Sequence, residues 1–263
     1  MLVKCTEADK PQIFNYIGED YRYCLYAYAD LKQYGLNKDF INAWLYYDIN
    51  NDIKALVYNY HKGIHIFSRD FKYDAKEIAK LLLKLHPAMI SARKEIIQDL
   101  IPFMLEYKHE FGYIIQKTVP TLERSPRVEL AKESDIHEMA VMLYNDEGIG
   151  ASYTIQDLED EIRQRMKDKY GRSYVLKIDG VIAAQDSTSA EIDKFAISSL
   201  TIVDPRFRRM GLGTEINGSK CYDIEHEGKE IYAYCYEEPA LIAWHKSGYI
   251  DIGEWGKLYV ENQ

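Results

Sequence analysis

The ten residues "TVPTLERSPR" (118–127) place two prolines among polar neighbours and break the periodic patterns on either side, so they read as a linker. This break constrains the fold because the sequence runs in the same order before and after it. Each side reads as two helical stretches, a hairpin, a strand, a loop, a helix and a strand. At 263 residues the chain can hold two ordinary domains of about 100–200 residues each. The expectation is two related α+β halves, 1–117 and 128–263, joined by 118–127. Each would be a mixed central β-sheet flanked by helices.

In the second half, Ser134 is the expected N-cap of a helix through "DIHEMAVMLYND". Thr154 and Asp157 have capping-box spacing ahead of the charged amphipathic stretch "LEDEIRQRMKDKYG". "SYVLKI", "DG" and "VIAAQD" predict a hairpin with a two-residue Asp-Gly turn. "KFAISSLTIV" reads as one further strand, rich in β-branched and aromatic residues. A helix over about 214–227, the strand "EIYAYCY", the short helix "PALIAWHKS" and a strand-rich end complete this half.

The first half has a long helical region over about 10–34. "AWLYYDI" and "DIKALVYNY" follow, with an Asn-Asn turn between them, and then "GIHIFS" and the amphipathic "DAKEIAKLLLKL". Its many tyrosines, from Tyr16 to Tyr47, lack basic interleaving and read as packing or interface residues, a surface on which a homodimer could form.

The composition narrows the function. A formal net charge of −9 argues against a nucleic-acid partner and suits an amine-bearing one. Cys5, Cys24, Cys221 and Cys235 are widely spaced, so neither a disulfide framework nor a metal site is expected, and the cytoplasm is the natural setting. No apolar run reaches the ~18 residues of a membrane span, and the N-terminal residues do not read as a signal peptide.

The halves differ most where strand meets helix. In "TIVDPRFRRMGLGTE" (201–215), a strand gives way to a tight loop that opens a helix. The first N–H groups of a helix have no partner within it and, with the helix dipole, favour an anion. Gly211 and Gly213 let a ligand approach the backbone, and Arg208 and Arg209 can add charge-assisted bonds to phosphate oxygens. The corresponding "SRDFKYDAKE" of the first half has no glycine. A dinucleotide fingerprint would need glycine where Ile216 stands, and the Gly-Lys-Ser/Thr of a Walker loop is absent. On the residues alone, a basic surface turn and a phosphate cradle stand about even.

The segment "LTIVDPRFRRMGLGTE" resembles the signature of the GCN5-related N-acetyltransferase (GNAT) family: a strand, Arg or Gln, two residues, Gly, one residue, Gly or Ala. Arg208, Gly211 and Gly213 match it. Downstream, "EEPALIAWHKSGY" resembles the family's Asn-x-x-Ala-x-x-x-Tyr-x-x-x-Gly-Phe through Ala240 and Gly248, with Tyr249 in place of the phenylalanine. The resemblance covers about 127–260, and the first half reads as a degenerate copy without a cofactor loop. It implies the GNAT (acyl-CoA N-acyltransferase) fold and acetyl-CoA as cosubstrate, with no metal. Pantetheine would lie along Leu200, Thr201, Ile202 and Val203, and the pyrophosphate on Arg208, Arg209, Met210, Gly211, Leu212, Gly213 and Thr214.

The implied activity is acetyl transfer to a primary amine of a small molecule, an amino acid or a peptide, by direct attack on the thioester. Two departures bear on the chemistry: Trp244 stands where the family's tyrosine acid would be, and Glu237 replaces its asparagine. Either Tyr236 or Tyr249 then serves as the acid, or water does, or the thiolate leaves unassisted; for the base, where a water chain is the other option, Glu147 in "YNDEGIGASY" is the candidate. For Glu147 the plainer reading is a solvated loop acid. For His245 it is a surface histidine, for Cys235 a small core residue, and for the acidic run 157–161 a solvated helix face. Two rival functions remain open. One is a non-catalytic acyl-CoA sensor; the other is a transferase using aminoacyl-tRNA, which the acidic balance disfavours.

Overall fold

The structure, a computed structural model, describes residues 1–146, 153–199 and 201–260. The chain divides into two compact units. The first comprises Met1–Ile115 with Tyr234–Leu241 and the segment that starts at Asp251; the second comprises Gln116–Ala233 with Ile242–Ile250.

In the first unit, β1 (Leu2–Lys4), β2 (Ile41–Tyr47), β3 (Ile53–Tyr60), β4 (Gly63–Phe67) and β5 (Met89–Arg93) lie side by side in that order. β2 to β4 form an antiparallel meander, in which Asn51 and His61 take left-handed φ at the two turns. β4 and β5 are parallel, and α3 (Ala75–Leu85) is the crossover between them. Ile78, Ala79 and Leu82 form its buried stripe, against a core that includes Val57, Ile64, Ile66 and Ile90. The final strand, β13 (Tyr249–Tyr259), pairs antiparallel with β5 from Trp255↔Arg93 to Tyr259↔Met89, and β6 (Lys108–Lys117) is its other neighbour. The helical region expected over 10–34 is interrupted. α1 (Lys10–Ile17) ends at Gly18, a 3-10 stretch occupies Gly18–Tyr23, and α2 (Leu25–Gln33) follows. The short α4 (Lys94–Leu100) closes the core below β5.

The second unit's sheet runs β12 (Glu230–Cys235), β10 (Phe195–Ser198), β9 (Val181–Glu191), β8 (Ser173–Ile178) and β7 (Val128–Leu130), with β11 (Ile202–Val203) also on β9. Side-chain alternation along β8 separates its two faces. Val175 packs with Ile136, Met139 and Ala140 of α5 (Ile136–Tyr144) and with Leu158 and Ile162 of α6 (Ile155–Asp168). Tyr174 and Leu176 pack with Leu212 and Ile216 of α7 (Leu212–His226). Each fully buried aliphatic side chain in these layers contributes roughly 1.5–3 kcal/mol.

The Asp179-Gly180 turn forms as expected, both residues having positive φ (52° and 81°). The Thr154–Asp157 capping box is also present. Ser134 is not the cap of α5. The helix begins at Ile136, and the carboxylate of Asp135 accepts from the Lys132 backbone N–H at 2.9 Å and from Lys177 Nζ at 2.6 Å. Asp135 makes no side-chain bond to the first turn of α5; its carboxylate closes the preceding 3-10 turn Glu133–Asp135, inside which Ser134 falls.

The polar segment 118–127 is fastened to α7. Thr121 N–H donates to Glu225 at 2.8 Å, Arg124 Nε to Asp223 at 2.8 Å, and the Ser125 hydroxyl to Glu215 at 2.6 Å. Among the described residues, no helix is long and apolar enough to cross a membrane.

Candidate functional site

The strand expected over "KFAISSLTIV" is two strands. β10 pairs with β9 from Ala196↔Glu191, and its register slips between Ile197 and Ser198. Ser199 N–H then donates to Ser187 O at 2.8 Å, and β11 continues along β9 at Ile202↔Gln185 and Val203↔Ala184. Bulges of this kind bend a strand and re-aim its backbone. On its other side β10 runs parallel to β12 from Phe195↔Glu230 to Ile197↔Tyr232.

After β11 the chain makes a 3-10 turn at Pro205–Phe207, and Asp204 binds Arg206, with an Nη2–Oδ2 distance of 2.7 Å. Arg206, Arg208 and Arg209 are all exposed; Arg206 is held by Asp204, and Arg208 Nε donates to Val203 O at 3.4 Å. Arg209 (φ 65°) and Gly211 (φ 79°) are both left-handed and turn the chain around the exposed Met210 into α7. Gly211 is the N-cap of α7 and offers no side-chain acceptor, so the first-turn amides, including those of Gly213 and Thr214, face an open end. A Cβ added at Gly211 would meet nothing within 4 Å, so what requires glycine there is the left-handed φ and not a steric limit. At Gly213 a Cβ would make an ordinary contact with Val203 Cγ2 at 3.4 Å. Leu212 is buried and anchors the turn.

The matching junction of the first unit has the opposite electrostatics. The N-cap of α3 is Asp74, whose carboxylate accepts from the Glu77 backbone N–H at 3.1 Å. A negative charge already sits where an anionic ligand would bind, and the helix end is satisfied without one.

A cavity of about 360 Å³ in the second unit adjoins the first turns of α7. Thr214, Asn217 and Gly218 line it, with Lys117, His245 and Gly248. His245 is exposed and lies on α8 (Glu238–Lys246).

The candidate acids differ in setting. Tyr236 groups with the first unit, its ring 4.2 Å from Lys257 Nζ, whereas the loop belongs to the second. Burial pushes its phenol above the usual tyrosine range. Tyr249 is buried in the second unit, its hydroxyl 3.3 Å from Cys221 Sγ and its ring 4.5 Å from that of Trp244. Burial raises this phenol well above its ordinary value too. Both phenols are protonated at neutral pH and are hydrogen-bond donors that part with a proton reluctantly.

Cys235 is buried, its thiol directed at Glu237 O at 3.4 Å, and burial raises its pKa, as for an inert core thiol. The acidic run is a paired helix face: Asp157 in its cap, Asp160 with Arg163, Glu161 with Arg165, Glu159 with His137. Glu147, the candidate base, and Leu200, the first of the expected pantetheine-binding residues, lie outside the described residues.

These layers, with parallel strands flanking a crossover helix in each unit and a loop that opens α7, define the fold of the GNAT acetyltransferases, carried along nearly the whole chain. An acetyltransferase of the GNAT family from Colwellia psychrerythraea superposes with a TM-score of 0.59 at 11% identity, covering 99% of this chain and 100% of its own. A tandem GNAT protein from the clavulanic acid biosynthesis pathway gives 0.59 at 11% identity, over 98% of this chain and 97% of its own. A GCN5-related N-acetyltransferase from Sphaerobacter thermophilus gives 0.62 at 14% identity, over 98% and 94%. The likeness therefore extends to the first half, where sequence supplied only the order of elements. No protein-family model and no curated protein matches the sequence.

Sequence reasoning missed the cavity and a buried ion pair between α7 and β9, Lys220 with Asp186. Polar residues in the middle of a helix give no signal of the direction they face.

Proposed function

We propose that the second unit binds acetyl-CoA and that the chain transfers the acetyl group to a primary amine on a small molecule, an amino acid or a peptide. The observation that carries this reading is the contrast between two helix ends. α7 opens on Gly211 with no side-chain cap and with Arg208 and Arg209 exposed beside it, while α3 is closed by the Asp74 carboxylate. The pyrophosphate would take the amides of Arg209 to Thr214, and pantetheine would add to the backbone at Thr201 to Val203 as an extra strand does. The amine, once neutral, attacks the thioester carbonyl. The C–N bond forms, the C–S bond breaks, the amine proton passes to a base or water, and the thiolate takes up a proton. Glu147 is the proposed base, and Tyr236 or Tyr249 the proposed proton donor.

Isothermal titration with acetyl-CoA tests the reading. Saturable binding that Gly211→Trp abolishes is expected; no binding, or binding indifferent to that substitution, overturns it. Trp244 at the position of the family's tyrosine favours one second reading, a sensor that binds acetyl-CoA without turnover. Thiol release across a broad panel of amines separates the two.

A further inference from the structure

The second unit buries an ion pair for which the loop has no need. Lys220 on α7 and Asp186 on β9 both have fully buried side chains, with Nζ 2.7 Å from Oδ1. The Asp186 carboxylate also accepts from Asn217 Nδ2 at 3.1 Å and from the Ser187 backbone N–H at 2.7 Å. Lys220 Nζ donates to the Ser198 hydroxyl and lies 5.9 Å from the Trp244 ring. Asn217 in turn lies 3.7 Å from Cys221 Sγ through its Oδ1, and Cys221 Sγ meets the Tyr249 hydroxyl at 3.3 Å. The contacts form one continuous network from Ser198 through Lys220, Asp186, Asn217 and Cys221 to Tyr249.

Stability alone does not explain such a network. Removing an ammonium and a carboxylate from water costs several kcal/mol per ion, and an apolar pair of similar volume is often equally stable or more so. The network's effect is geometric. Ser198 is the last residue of β10, at the place where the register on β9 slips and the chain turns toward Thr201–Val203. A bulge locally disrupts the ladder that would otherwise fix the backbone. The bond from Lys220 supplies a fixed point there.

We infer that Lys220, oriented by Asp186, is a positioning residue that holds the end of β10 through Ser198 and so sets the backbone to which an acyl thioester binds. That the backbone binds a thioester rests on the acetyltransferase reading; that Lys220 holds the strand end does not.

Hydrogen–deuterium exchange on the full chain tests the holding, with the variants Lys220→Met/Asp186→Asn and Ser198→Ala. The double change removes both charges together and so avoids leaving one buried and unpaired; Ser198→Ala keeps the pair and removes only its link to the strand. Both are expected to speed amide exchange across 199–203 about ten-fold or more, the loss of one hydrogen bond to a charged group, while exchange in β8 stays as in wild type. Acetyl transfer by Ser198→Ala is expected to lose about ten-fold in kcat with the KM for acetyl-CoA changed less than two-fold, a split that a general loss of stability does not produce. Unchanged exchange across 199–203 in Ser198→Ala overturns the inference, and so does faster exchange with an unchanged kcat. A wild-type protein that binds no acetyl-CoA refutes the acetyltransferase reading separately, and the exchange result still decides whether Lys220 holds the strand.

Discussion

Gly211→Ala isolates the conformational demand of the loop from every steric one. The residue sits at φ 79°, ψ 1°, and an added Cβ meets nothing within 4 Å, so only the left-handed backbone opposes the substitution. That conformation costs an L-residue about 1–2 kcal/mol. For a chain of this size each kcal/mol moves the melting temperature by about 2–4 °C, so a drop of roughly 2–8 °C is expected. Asn tolerates the same conformation better, and Gly211→Asn should lose about half as much. Gly213→Ala is the control two residues on. It lies within the first turn of α7, where alanine is the better helix former, and its Cβ makes only an ordinary contact with Val203, so no loss is expected. Circular-dichroism melts of the ligand-free proteins at one concentration measure all three. If Gly211→Ala melts with the wild type, or Gly213→Ala falls as far, the turn is not held by its left-handed residue and the reasoning fails.

Two further expectations concern the flanking structure. Burial lowers the His65 pKa to about 4, and the Ser91 hydroxyl lies 2.7 Å from its Nδ1. The unfolded imidazole takes up a proton near pH 6.5 that the folded one refuses until about 4, so stability should fall as pH drops through that window. Melting temperatures from pH 7 to 4 should show a shallower slope for His65→Gln; an identical slope contradicts the assignment. At α6, Thr154→Ala removes the acceptor for the Asp157 N–H, 3.1 Å away, and should cost about 1 kcal/mol in urea unfolding, with Thr154→Ser restoring most of it.

Much of this was legible in the residues because its causes are local. The Asp179-Gly180 hairpin needs two left-handed residues, the Thr154–Asp157 box needs a fixed spacing, and the opening of α7 is written in Arg208, Gly211 and Gly213. What escaped depends on partners distant in sequence. "KFAISSLTIV" reads as one strand, and the slip at Ser198 follows from its pairing with β9. Lys220 gives no periodic signal because α7 buries Asn217, Ser219 and Lys220 alongside Ile216 and Ile224, and the partners that make the buried ammonium tolerable, Asp186 and Ser198, are 34 and 22 residues earlier. Ser134 falls inside a 3-10 turn that Asp135 closes, and that carboxylate is paired with Lys177, 42 residues later.

The place of β13 has a consequence for how the protein is made. From Asp251 onward this strand belongs to the first unit, seated between β5 and β6, with Trp255 opposite Arg93. A ribosome completes β6 roughly 140 residues before it completes β13, on the order of ten seconds or more at about 5–20 residues per second. Until then β5 and β6 both wait with an unfilled edge. The first unit, though translated first, therefore receives its last strand at the end of translation, and a chain cut at residue 117 would lack the strand between β5 and β6.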